Sequence, residues 1–222
     1  LTGIPVITID GPGGAGKGTL AQLLAQHLGY WFLDSGALYR AVALAAQRHE
    51  VSLDNVDELA KLASLLDIQF QVSPQGGYAV HLENQDVTLD IRAESCSQAA
   101  SKVARVGKVR AVLLAKQRAY RQPPGLVADG RDMGTNVFPD AHAKIFLTAN
   151  LEERARRRYK QLKDQGISAS LDALLAELAK RDQRDAERSI APLRPAENAL
   201  VIDSSGMGVE EVLDRALKLV RV

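Results

Sequence analysis

Short runs of apolar residues alternate with longer stretches of helical spacing along most of this chain. Pro5-Val6-Ile7-Thr8-Ile9 reads as a buried strand, and Leu20, Leu23, Leu24 and Leu28 then repeat at helical intervals up to Gly29. Trp31-Phe32-Leu33 predicts a second strand. The spacing predicts helices over 36–48 and 55–66, the second capped by Asp54. Leu126-Val127-Ala128-Asp129, Lys144-Ile145-Phe146-Leu147 and Leu200-Val201-Ile202-Asp203 predict three further strands, with helices over 151–163, 171–184 and 209–220. Strands separated by helices need crossover connections. The expected fold class is therefore α/β, a five-stranded parallel sheet flanked by helices.

The period changes in the middle of the chain. Ile68-Gln69-Phe70-Gln71-Val72 and Tyr78-Ala79-Val80-His81-Leu82 alternate with period two, and Ser73-Pro74-Gln75-Gly76-Gly77 between them is turn chemistry. A third short strand is expected over 87–89. This predicts a small antiparallel β insertion near 67–90. Helical spacing returns over 93–120 with a break at Gly107, and Pro123-Pro124-Gly125 ends it.

The length, 222 residues, suits one domain or one core carrying insertions. With 46% apolar residues, such a chain buries a core without disulfides. The only cysteine, Cys96, is expected to pack, and its isolation fits a reducing, cytoplasmic setting. No apolar run approaches the roughly 20 residues that span a bilayer. Leu1-Thr2-Gly3-Ile4 has no basic n-region, so neither signal nor transit peptide is expected. A formal net charge of +1 argues against a general nucleic-acid binder. The basic residues are nevertheless clustered: Arg154, Arg156, Arg157, Arg158 and Lys160 in one group, Arg181, Arg184 and Arg188 in another. Local positive charge on a near-neutral chain suits a small polyanion.

Gly11-Pro12-Gly13-Gly14-Ala15-Gly16-Lys17-Gly18-Thr19 stands between the first strand and the first helix. Glycines let backbone N–H groups close around phosphate, the helix start adds partial positive charge, and Lys17 reaches the β- and γ-phosphates. A P-loop NTPase follows, with ATP held by residues 11–19. The general pattern places Ser or Thr directly after the lysine; here Gly18 holds that position and Thr19 comes next. This ending resembles nucleoside monophosphate kinases, and no Asn-Lys-x-Asp guanine-reading motif occurs.

Two further segments fall at the carboxyl ends of predicted strands, where ligands of open α/β sheets bind. Asp34-Ser35-Gly36-Ala37-Leu38-Tyr39-Arg40 offers a hydroxyl that could donate to an anion and a guanidinium that could clamp one. Asp129-Gly130-Arg131-Asp132-Met133-Gly134 ends a strand in a carboxylate suited to a metal or its waters. Together with Arg181-Asp182-x-Arg184-Asp185-x-x-Arg188, these segments resemble bacterial-type cytidylate kinases, and the resemblance covers essentially the whole chain, insertion included.

The resemblance implies transfer of the γ-phosphate of ATP to CMP or dCMP. It implies that Ser35, Arg40 and Arg131 hold the acceptor phosphate, that Ser101, Arg110 and Asp132 face cytosine, and that Arg181, Asp185 and Arg188 serve ribose and phosphate. Lys17, Asp129, Arg131, Arg157 and Arg158 are the expected catalytic residues. Residues 1–33, 123–150 and 190–222 would form the core, 34–122 the acceptor-nucleotide region, and 151–189 a helical lid hinged near Gly166. Arg154, Arg157 and Arg158 are spaced to share one helix face, as are Arg181, Arg184, Asp185 and Arg188 if that helix runs far enough. His27, His49, His81 and His142 are scattered, so no protein metal centre is expected; Mg²⁺ arrives with ATP. A monomer is expected, acting on ATP and CMP or dCMP, with neither nucleic acid nor membrane as partner. Another small P-loop kinase (for UMP, AMP or a non-nucleotide acceptor) and a nucleotide-dependent switch or ATPase stay open beside this reading.

Overall fold

The structure, a computed structural model, describes residues 3–72, 77–164 and 166–220. In chain order, β1 (Val6–Asp10) leads through α1 (Lys17–Leu28) to β2 (Trp31–Asp34), α2 (Ser35–Arg48) and α3 (Val56–Leu65). The insertion follows as β3 (Ile68–Val72), β4 (Tyr78–Leu82) and β5 (Gln85–Asp86). Next come α4 (Glu94–Val103), α5 (Gly107–Ala119), β6 (Leu126–Gly130), β7 (Ala143–Thr148), α6 (Leu151–Asp164), α7 (Leu171–Ala186), β8 (Leu200–Asp203) and α8 (Val209–Val220).

The five strands expected to be parallel form one sheet in the order β2-β6-β1-β7-β8, every neighbouring pair parallel. β1 is central, and all five of its residues are buried. Covered on both faces, it is buried throughout rather than on alternate residues, Thr8 and Asp10 included. One hydrophobic layer joins Leu33, Leu38, Val42, Leu59, Val103 and Leu113 to the sheet; the other packs Leu20, Leu24, Val212 and Leu217 against Ile7, Ile9 and Ile145. Ala155, Leu174 and Leu178 make a separate small cluster between α6 and α7.

The insertion is an antiparallel sheet in the order β3-β4-β5. Its third strand is Gln85–Asp86, ahead of the predicted 87–89. Val87 still donates to Val80 O, but the Val80 N–H goes to the Thr88 hydroxyl at 2.8 Å, so a side chain ends the ladder. The expected turn at 73–76 lies outside the described residues, as do Leu1 and Thr2.

Three helix boundaries differ from the periodicity. Asn55, not Asp54, caps α3, its side chain accepting from Glu58 N at 3.3 Å. The break predicted at Gly107 falls at 104–106, and Gly107 begins α5. α7 stops at Ala186, so Arg188 lies beyond its end. Among the described residues no helix is long and apolar enough to cross a membrane.

Candidate active site

The glycine-rich segment wraps from the end of β1 to the start of α1. At Gly11 a Cβ atom would stand 1.9 Å from Leu147 O, so only glycine lets the loop pass this close to β7. Lys17, the first residue of α1, is only 7% exposed. Its Nζ donates to Pro12 O at 3.0 Å and lies 3.9 Å from Asp129 Oδ1. Burial, aided by the positive charge of Arg131, lowers its pKa to about 8; burial raises that of Asp129 to about 6, with Lys17 opposing. A side chain at Gly18 would begin 3.4 Å from Asp129 Oδ2. The space taken by Ser or Thr in the general pattern is thus open in front of this carboxylate.

Beside the loop is a cavity of about 230 Å³. Ser35, Arg40, Ser101, Arg110, Arg131, Asp132, Arg181, Asp185 and Arg188 all line it, together with Lys17, Asp34, Tyr39 and Asp129. Asp34 ends β2 and caps α2, accepting from Ala37 N at 2.9 Å and from Arg40 at 2.7 Å. Ser101 and Arg110 face inward from α4 and α5 and are buried. Arg110 holds Asp132 Oδ2 at 2.5 Å, Asn136 donates to the same oxygen at 3.2 Å, and the Tyr39 ring centre lies 5.8 Å from the Arg110 guanidinium. Asp185, 1% exposed, accepts from Arg131 Nε at 2.9 Å and from Arg188. These two guanidinium groups hold its carboxyl below the usual carboxylate range although burial opposes them. Burial, then the charge of Arg131, lowers the Arg181 pKa to about 10. The Nε atoms of Arg40 and Arg110 are buried without a partner among the described residues. The cavity is therefore crowded with positive charge and has donors in hand.

The arginines of α6 separate. Arg154 is 5% exposed; it donates to Gly13 O at 3.1 Å and makes a two-armed pair with Asp182 at 3.0 and 2.5 Å. It braces the loop. Arg157 donates to Ala15 O at 3.3 Å and to Ser204 O at 2.7 Å, and lines a second cavity of about 270 Å³ with Thr19, Leu147, Met207 and Val212. Arg158 reaches the other way, to Gln161 at 3.0 Å and towards Glu94 at 3.8 Å. Spacing alone puts the three on one face; their partners divide them. Arg184 points away from the cavity, donating to Lys180 O, while Arg181, Asp185 and Arg188 line it.

A family model described as cytidylate kinase matches residues 7–222. This chain belongs to the cytidylate kinase family. A cytidylate kinase of Shewanella sediminis is 60% identical over 215 residues, covering 96% of this chain and 93% of the relative. One of Shewanella denitrificans is 56% identical over 218 residues, covering 98% and 96%. The fold also resembles that of an uncharacterised protein from Eubacterium ventriosum, with a TM-score of 0.55 at 13% identity over 98% of each chain.

Three residues of this cytidylate kinase family member escaped the sequence reading. Asp10 is 2% exposed and accepts from the backbone N–H groups of Met133 and Gly134, each at 2.8 Å. Burial raises its pKa to about 7 against those two bonds. It ties the end of β1 to the turn Met133–Val137, and so sets where Asp132 stands. An acid closing a largely apolar strand was the available signal. Asn136, on that same turn, had none beyond being polar. Gln117 on α5 had none either, since an amide in a charged helix reads as solvated, yet it is 2% exposed.

Proposed function

We propose that this chain transfers the γ-phosphate of ATP to the phosphate of CMP or dCMP, giving ADP and CDP or dCDP. The carrying observation is the cationic cavity beside the glycine-rich loop, with the Asp132 carboxylate fixed inside it by Arg110 and Asn136.

ATP lies with its triphosphate in the loop of residues 11–19, its base towards the second cavity beside Arg157. CMP occupies the first cavity. An oxygen of its phosphate attacks the γ-phosphorus as the bond to the β–γ bridging oxygen breaks. That oxygen is already anionic at neutral pH, so no strong general base is needed. Positioning and charge neutralisation lower the barrier. Lys17 serves the β- and γ-phosphates; Arg40, Arg131 and Arg188 the acceptor phosphate; Arg157 and Arg158 approach from the lid. Ser101, Arg110 and Asp132 read cytosine, and Arg181 and Asp185 attend the ribose side. Residues 151–189 act as the lid, 34–122 as the acceptor region, and the remainder as the core. The kinase works as a monomer.

Magnesium brought by ATP suits Asp129, whose carboxylate faces the gap at Gly18. Such an ion would keep most of its waters. When bound, it neutralises charge on the β- and γ-phosphates.

The base supplies the test. Cytosine offers a donor amine beside the acceptors N3 and O2, whereas uracil presents O4 and a donor N3–H. Against Asp132 and Arg110 the uracil edge leaves like groups facing each other, at about 1–3 kcal/mol each. A coupled assay with ATP and a panel of acceptors should show CMP preferred over UMP by at least ~100-fold in kcat/KM. Asp132→Ala should shrink that preference, mostly through CMP. Equal turnover of UMP and CMP would replace this reading with a general pyrimidine or nucleotide kinase, and ATP hydrolysis without phosphorylation of any acceptor would replace it with an ATPase or switch.

A further inference from the structure

Ser35 stands at the cavity wall, but its hydroxyl is already engaged from behind. It lies 2.8 Å from Oε1 of Gln117, which is on the second helix of the wall, α5. The other end of that amide is fixed independently: Nε2 donates to Leu113 O, one turn earlier, at 3.1 Å. A backbone carbonyl only accepts, so the nitrogen must be the atom facing Leu113 and the oxygen the atom facing Ser35. Flipping the amide would set two oxygens against each other at Leu113. The hydrogen between Ser35 and Gln117 therefore belongs to the serine.

Both side chains are buried, Gln117 at 2% and Ser35 at 4% exposure, so water does not readily replace either partner. Gln117 does not line the cavity; only Ser35 does. With its hydrogen committed to α5, the hydroxyl turns its lone pairs towards the cavity. Giving a hydrogen to a phosphate anion would strand Gln117 Oε1 in a buried site. Accepting from a donor strands nothing, and a hydroxyl that donates on one side accepts more strongly on the other.

We propose that Gln117 is a positioning residue of the acceptor site: it fixes the Ser35 hydroxyl as a hydrogen-bond acceptor towards the bound nucleotide, so that Ser35 meets a donor group of that nucleotide while the arginines hold its anion. The inference rests on the function proposed above, and it reverses the donor role that the sequence alone assigns to Ser35. Gln117→Met removes the amide at similar volume, and Ser35→Ala removes the hydroxyl.

Steady-state kinetics of wild type, both single variants and the double variant supply the test, on proteins shown by thermal melting to be folded. Each single change should raise KM for CMP by roughly 5–10-fold, with kcat and KM for ATP within about twofold of wild type. The double variant should be no worse than the worse single one, because the two residues act through one hydrogen bond. Effects that multiply, or that appear equally in KM for ATP, would overturn the role given to Gln117. Should Gln117→Met instead lower KM for CMP, the amide competes with the ligand for the Ser35 hydrogen, and the assigned direction is wrong. A wild-type protein inactive towards CMP would sink the proposed function itself, so the two failures are told apart.

Discussion

Lys17 shows what burial does to one charge. Held among Pro12 O, Asp129 and nearby guanidinium groups, it titrates near pH 8 rather than at its usual value. Its charged form is the one that attracts phosphate. In the free enzyme, kcat/KM for ATP should therefore fall as pH rises through about 8, and it should stay flatter in Lys17→Arg, which keeps its charge. Lys17→Ala should fold and lose about a hundredfold or more in kcat. Near wild-type turnover in that variant would remove the loop as the ATP site. The lysine was legible in the sequence because its neighbours are glycines between a strand and a helix. Its depressed pKa was not, because it follows first from burial by the folded chain and then from the charge of Arg131, more than a hundred positions away in sequence.

The turn Met133–Val137 is the element on which the proposed base reading depends. It carries Asn136, follows Asp132, and is held to β1 by the two hydrogen bonds to Asp10. Asp10→Ala leaves two buried N–H groups without partners. Above about pH 7, where Asp10 is ionised, these are hydrogen bonds to a charged group, worth about 1.5–3 kcal/mol each, so a loss of roughly 3 kcal/mol or more is expected in urea denaturation there. CMP turnover should fall more than ATP binding, because the displaced residue is Asp132. An unchanged denaturation midpoint would show that the turn holds its shape unaided. The same element marks a limit of periodicity. A single π turn leaves no repeat to detect, and its geometry follows from a carboxylate supplied by another strand.

At the scale of the molecule, α7 meets α4 through charge. Glu177 on α7 lies beside Glu94 on α4, while the charges of Arg158 and Arg181 favour its ionised form. Burial and then the Glu94 carboxyl raise the Glu177 pKa to about 7. Protonating Glu177 relieves its repulsion with the Glu94 carboxyl. Because the pKa is raised in the folded contact, the contact is firm when Glu177 is protonated and weakens as pH rises through about 7. Hydrogen exchange over 151–189 should therefore quicken between pH 6 and pH 8 in the wild type. Glu177→Gln should remove most of that change; an equal change in the variant would place its origin elsewhere. In the proposed mechanism residues 151–189 are the lid, and this pair is one of the contacts that its opening would break.

The sequence by itself determined the five parallel strands, the antiparallel insertion and the glycine-rich loop, because each is written in neighbouring residues: a period, a turn cluster, a motif. Family resemblance rather than spacing singled out nine residues expected on the acceptor side, and all nine line one cavity. Only the tertiary structure decided what each of those side chains touches. Arg154, Arg157 and Arg158 share a helix face by spacing, yet they end on the loop, on Ser204 and near Glu94. Gln117 and Asp10 are polar side chains whose partners lie on other elements, 82 and more than a hundred positions away in the chain. Local pattern follows from the covalent neighbourhood and the need to bury apolar faces. The pairing of buried polar groups follows from which elements the folded sheet sets side by side.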